Sequence, residues 1–99
     1  MEIKKSSLSD GKLTINVFGR LDTNSAPEFS KLFSESIEGV TDLTIDFDGL
    51  EYISSAGLRV ILSAQKIMDV QGKMKVIHVA PLVMEVLDVT GFTDILTIE

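Results

Sequence analysis

The spacing of apolar residues changes period near residue 55, and that change constrains the fold more than any other feature. Leu43, Ile45 and Phe47 alternate with Thr44 and Asp46, the two-residue period of a strand with one buried face. From Ala56 to about Val70 the period is helical. Val60, Ile61, Ala64, Ile67 and Met68 mark a broad apolar face, and Arg59, Ser63 and Lys66 mark a wet one. A strand followed at once by an amphipathic helix is the first half of a βαβ unit. The junction between them is Tyr52-Ile53-Ser54-Ser55-Ala56-Gly57-Leu58-Arg59.

The rest of the chain alternates in the same way. Ile3 to Leu8 reads as a first strand, and Asp10-Gly11 is a tight-turn signal. Leu13, Ile15 and Val17 alternate with Thr14, Asn16 and Phe18, so the first two strands form an antiparallel hairpin. Ser25-Ala26-Pro27-Glu28 has the pattern of a capping box with Pro in the first turn. Phe29, Leu32, Phe33 and Ile37 continue that helix to about Glu38, and Gly39 ends it. The third strand runs from Asp42 to Phe47. Asp48-Gly49 is compatible with a hairpin into Leu50–Ile53, but the helical spacing after Ser55 favours a loop. Gly72 ends the second helix. A fourth strand follows, in which Met74, Val76 and His78 alternate with Lys75, Ile77 and Val79. Pro81 opens a short third helix with Val83, Val86 and Leu87, Gly91 closes it, and Ile95 to Ile98 reads as a last strand. Met68, Met74 and Met84 are core filler. The order is β-β-α-β-α-β-α-β, an α/β domain with a mixed sheet that buries one face under helices. In parallel βαβ units the loops after the strands share one edge, where ligands and partners bind. The serine motif lies on that edge.

Composition removes several function classes. The chain has 99 residues and 44% apolar residues, which suits one domain spanning 1–99. It has no cysteine, so disulfides and thiolate chemistry are excluded and a reducing cytoplasm is expected. No apolar run approaches the roughly 20 residues of a membrane span. Met1 to Ser6 lacks a signal-peptide core. The net charge is −6, and the nine basic residues are scattered, so direct nucleic-acid binding is not expected. Asp42, Asp46, Asp48 and Glu51 form an acidic stretch. It reads as a solvated sheet edge and loop, or as a negative field beside the serines.

A serine at a helix start lies beside unpaired backbone N–H groups. It can cap the helix, and the same place can hold a phosphate. Ala56 and Gly57 leave room for another molecule to approach, and a helical Gly costs roughly 1 kcal/mol against Ala. Asp22 either caps the turn before the first helix or stands at the docking edge near Ser55.

Four elements in order resemble the STAS family, the sulphate-transporter and anti-sigma-factor-antagonist domain. They are Gly19-Arg20-Leu21-Asp22 with Ser25-Ala26, the run from Leu43 through Ser54-Ser55-Ala56-Gly57-Leu58, Gly72-Lys73-Met74, and Val89-Thr90-Gly91-Phe92. The resemblance covers essentially the whole chain. It implies a STAS fold, a small mixed sheet of four to five strands with helices mainly on one face. It also implies a bacterial anti-sigma-factor antagonist. Such a protein binds an anti-sigma factor that is also a serine kinase, is released by phosphorylation, and is restored by a serine phosphatase. By position relative to Gly57 the phosphoacceptor is Ser55. The partner-binding residues are Asp22, Ser54, Ala56, Gly57 and Arg59. Ser54 replaces the Asp that the family frequently carries before that serine; an acidic neighbour would then come from Asp22, Asp46 or Asp48. No cofactor, metal or membrane span is expected, and the state is a monomer or weak dimer.

Two other classes compete. A serine hydrolase needs a base beside its nucleophile, and His78, the one histidine, would have to share an edge with Ser55. No Gly-x-Ser-x-Gly pattern surrounds either serine, and a buried or rim structural His78 is the simpler reading. Phosphate-loop, dinucleotide and metal-ligand spacings are missing, so no catalytic residue is assigned. The other class is a STAS scaffold or transport- or signalling-complex subunit that is never phosphorylated, because fold does not fix function.

Overall fold

The computed structural model describes residues 2–5 and 10–99. Its sheet has four strands in the order β1-β2-β3-β4. β1 (Glu2–Lys5) runs antiparallel to β2 (Lys12–Leu21), and β2, β3 (Asp42–Ile53) and β4 (Lys73–Ile77) are parallel. The expected extension of the first strand to Leu8 lies outside the described residues. The Asp10-Gly11 turn forms with both residues left-handed, φ 54° and 77°. Asp and Gly tolerate that region best.

Helices α1 (Ala26–Ser36), α2 (Ser55–Gln71) and α3 (Pro81–Val89) pack with one sheet face into a single core. That face is built from Leu13, Ile15 and Val17 on β2, Leu43, Ile45 and Phe47 on β3, and Met74 and Val76 on β4. Burying each such side chain contributes about 1.5–3 kcal/mol. Thr14, Asn16, Thr44, Asp46, Lys75 and Ile77 occupy the other face and are half-buried. Met68 and Met74 are buried and Met84 is half-buried. No described helix is long and apolar enough to cross a membrane.

β3 departs from the expected strand-then-loop. It continues through Asp48-Gly49 to Ile53 as one strand of 12 residues, with neither a loop nor a hairpin. The pairing with β2 slips between Asn16 and Phe18 and again between Gly19 and Arg20. At each slip β3 has one extra residue, which is a β-bulge. The buried positions after Phe47 are therefore Leu50 and Ile53, three apart instead of two. Both remain on the core face. Gly49 is a bulge residue beneath Phe18, whose ring occupies the place a Cβ would take.

Three further expectations change. Ile67 is exposed, and buried Gln65 takes part of the apolar face assigned to α2. His78 lies outside β4 with φ 56°, which takes it off the core face and exposes it. The last strand is reduced to one parallel bridge between Ile98 and Val76, after a short 3-10 turn (Phe92–Asp94).

Gly49→Ala should destabilise the domain by about 1–3 kcal/mol through the clash with Phe18. Adding Phe18→Ala should recover part of that loss, because the two sites touch and their effects do not add. Urea denaturation of both variants and the double variant measures this; strict additivity would refute the bulge-packing account.

Candidate functional site

β2 and β3 run past the end of β4. Ile77 pairs with Asp46, whereas β3 continues to Ile53, paired with Leu21. The chain then turns into α2 through a backbone bond from Ser54 N–H to the Leu21 carbonyl, 2.9 Å. Ser54 is extended, with φ −99° and ψ 177°, and its Oγ accepts from Gly57 N–H at 3.3 Å. Ser54 is therefore the N-cap. Ser55 is the first helical residue. It is exposed, and its hydroxyl makes no hydrogen bond among the described residues. The capping role therefore falls on Ser54, and the Ser55 hydroxyl is left without it.

Gly57 corrects an expectation. It is buried, and the close approach it allows is made by this chain rather than by a partner. A Cβ there would lie 2.5 Å from the Leu21 carbonyl oxygen and 2.9 Å from Ile53 Cγ1. Its influence on a docking face is to set how closely α2 sits on β2. Ala56 is half-buried and Arg59 is exposed on α2.

Asp22 follows Leu21 and stands at the same end of the sheet. Its Oδ1 accepts from the N–H groups of Asn24 (3.0 Å) and Ser25 (3.2 Å), and its Oδ2 lies 3.6 Å from Arg20 Nε. The Ser25 N–H, above all, holds the Asp22 carboxyl below its usual range; partial desolvation opposes this, and Asn24, the Ser25 side chain and Arg20 assist. Asp22 thus closes the turn and also borders the serine edge. The expected capping box does not form. Ser25 Oγ turns back to β2, donating to the Arg20 carbonyl at 2.7 Å and accepting from Asp22 N–H at 2.9 Å.

Arg20 and Tyr52 were missed by sequence reasoning. The Arg20 guanidinium lies 4.1 Å from the Tyr52 ring centre, and Tyr52 is 40% exposed. They are cross-strand partners only because of the second bulge. A side-by-side reading of the two strands cannot find that register. With Asp22 and Glu51, Arg20 borders a shallow concavity beside α1.

The acidic stretch does not act as one group. Asp42 lies at the opposite end of β3, 3.9 Å from Lys73. Asp46 accepts from Asn16 Nδ2 (3.2 Å) and Asp48 N–H (2.9 Å), and meets His78 Nδ1 at 3.0 Å. Of the stretch, Glu51 alone belongs to the concavity that Asp22 also borders. Asp46 precedes Ile53 by seven residues of the same strand, roughly 20 Å at the usual rise. His78, tied to Asp46, does not reach Ser55, so the pair that the hydrolase reading needs is not formed.

The family model described as "Mlab, STAS domain" matches residues 5–97. The chain belongs to the STAS-domain family. It is 34% identical over 88 residues to BtrV of Bordetella bronchiseptica, a protein named as an anti-sigma factor antagonist, covering 87% of this chain and 76% of BtrV. It is 28% identical over 91 residues to the anti-sigma-B factor antagonist of Bacillus subtilis, covering 91% of this chain and 84% of that protein. Its fold matches the anti-sigma factor antagonist SpoIIAA in its unphosphorylated form, with TM-score 0.77, 19% identity, and 99% and 87% of the two chains covered. The phosphorylated form of Bacillus SpoIIAA matches with TM-score 0.76 at 19% identity, covering 99% of this chain and 91% of that one.

Ser54→Ala should cost about 0.5–2 kcal/mol, the worth of an N-cap. Ser55→Ala should stay within about 0.5 kcal/mol of the parent. Urea denaturation separates them, and equal losses would refute the division of roles. Asp22 should titrate below the ordinary carboxylate range in carbon-13 NMR. Its stabilising effect is fully present above the ordinary carboxylate value and is lost as pH falls through the lower folded value. Asp22→Asn should remove that part of the acid sensitivity.

Proposed function

We propose that this domain is an anti-sigma-factor antagonist. It docks on an anti-sigma factor with serine-kinase activity through the edge formed by Asp22, Ser54, Ser55, Ala56 and Arg59, and phosphorylation of Ser55 releases it. The observation that carries the reading is the exposed hydroxyl of Ser55, unbonded among the described residues, beside an N-cap supplied by Ser54. The family membership, the names of the relatives and the existence of SpoIIAA in a phosphorylated form support it.

In the forward step Ser55 Oγ attacks the γ-phosphorus of the kinase's nucleoside triphosphate. The bond to the bridging oxygen breaks, a nucleoside diphosphate leaves, and the hydroxyl proton passes to a base or to water. The product carries about −1.5 to −2 charge and three acceptor oxygens. The domain tolerates this charge, because Ser55 neither caps the helix nor enters the core and because a helix N-terminus favours an anion. The partner meets a dianion where a neutral contact had been, and its affinity falls through charge and desolvation. A serine phosphatase reverses the step by hydrolysis. Ser54 fills the N-cap that an Asp would also fill, since the two are nearly equal as caps.

A second reading, a STAS scaffold or transport- or signalling-complex subunit that is never phosphorylated, is favoured by the same Ser54 standing where the family frequently carries Asp. Intact-mass spectrometry of protein from its own cells, with and without phosphatase, decides between them. A phosphatase-sensitive phosphate mapped to Ser55 is the expected result, and an unmodified chain across growth and stress conditions would favour the scaffold. Ser55→Asp should weaken capture of the anti-sigma factor at least tenfold; unchanged capture would overturn the release step.

A further inference from the structure

Arg59 stands one helical turn after Ser55 on α2. Residues four apart on a helix are surface neighbours, with Cβ atoms about 5–6 Å apart. Both side chains are exposed, and Arg59 has no hydrogen bond or ion pair among the described residues. The first turn of α2 contains no acid. The other guanidinium at this end of the sheet is already engaged, since Arg20 lies over Tyr52 and beside Asp22. The next cation along α2 is Lys66, about two turns further on. The acids at this edge are Asp22, held by Arg20 and the Ser25 N–H, and the exposed Glu28 and Glu51.

We propose that Arg59 is the receptor for the phosphate on Ser55, closing over it within the same helix. The inference rests on the reading that Ser55 is the modified residue. The order favours the contact: an anion N-terminal to a cation at this spacing is the better orientation, and it also agrees with the helix dipole. A guanidinium presents a planar fork that takes two phosphate oxygens at once. Arg59 therefore has two states. In the unmodified domain its charge faces outward and is available to a partner. In the modified domain it turns back on the phosphate and is withdrawn. Phosphorylation then acts twice on the docking face, adding a dianion and removing a cation, while the backbone stays in place.

The test needs no partner. The full chain is prepared with phosphoserine installed at position 55, alone and with Arg59→Gln or Arg59→Lys. Phosphorus-31 NMR then follows the second ionisation of the phosphate. With Arg59 present it should lie lower by roughly 0.15–0.4 pH unit than in the Arg59→Gln protein, the shift expected of a helical ion pair. Arg59→Lys should recover part of the shift. Thermal melts should show a gain from the phosphate in the parent that Arg59→Gln reduces. Equal titration of the parent and Arg59→Gln would overturn the proposal, whether or not cells phosphorylate Ser55. Failure to find phosphate on Ser55 in cells would overturn the underlying reading and leave the titration result untouched.

Discussion

The first turn of α2 is held against the end of β2 by one backbone hydrogen bond and one missing side chain, and the site depends on that contact. Ser54 N–H reaches the Leu21 carbonyl, and Gly57 lets the helix lie against the same carbonyl. A methyl group at 57 would force the two apart, and a displaced backbone carbonyl near a strand end would strain its pairing with β3. With α2 seated this closely, the helix start is fixed at one residue. Ser54 falls in the extended conformation of an N-cap, and Ser55 falls on the first outward position. The chemistry available at Ser55 follows from how α2 meets β2, not from any special property of the serine.

The bulged ribbon of β2 and β3 gives the site its isolation. By projecting beyond β4, it carries the serine edge away from the Asp46–Asn16–His78 cluster. That cluster is hydrogen-bonded within itself on the helix-free face. The serine edge has a different balance. Asp22 is committed to its turn and to Arg20, and Arg20 is committed to Tyr52. Surface ion pairs of this kind contribute little to stability. Their effect here is orientation: they hold an aromatic ring, a cation and a carboxylate in fixed relation beside the helix. Tyr and Arg are also the residue types that most often dominate binding energy at interfaces.

Much of this was legible in the sequence. The two-residue alternation of Leu13–Val17 and Leu43–Phe47 and the helical spacing after Ser55 gave the βαβ order, because burial of one face imposes those periods. The family motifs placed Ser55 beside the helix start. The misreadings share a cause. Asp48-Gly49 looks like a turn, and the three-residue spacing of Leu50 and Ile53 does not look like a strand. Both follow from bulges, which are set by what packs across the sheet rather than by local preference. The Ser25 capping box failed likewise, because the Arg20 carbonyl and the Asp22 N–H offered Ser25 Oγ better partners than the helix did.

The sequence by itself determined the order of elements, the face each buries and the pair of serines at the start of α2. Those depend on local periodicity and on residues a few positions apart. The tertiary structure decided which serine caps, that Gly57 serves an internal contact, that Arg20 lies over Tyr52, and that His78 belongs with Asp46 rather than Ser55. Each of these is a contact between different elements, and its geometry depends on strand register. Register responds to a one-residue bulge that the sequence does not announce.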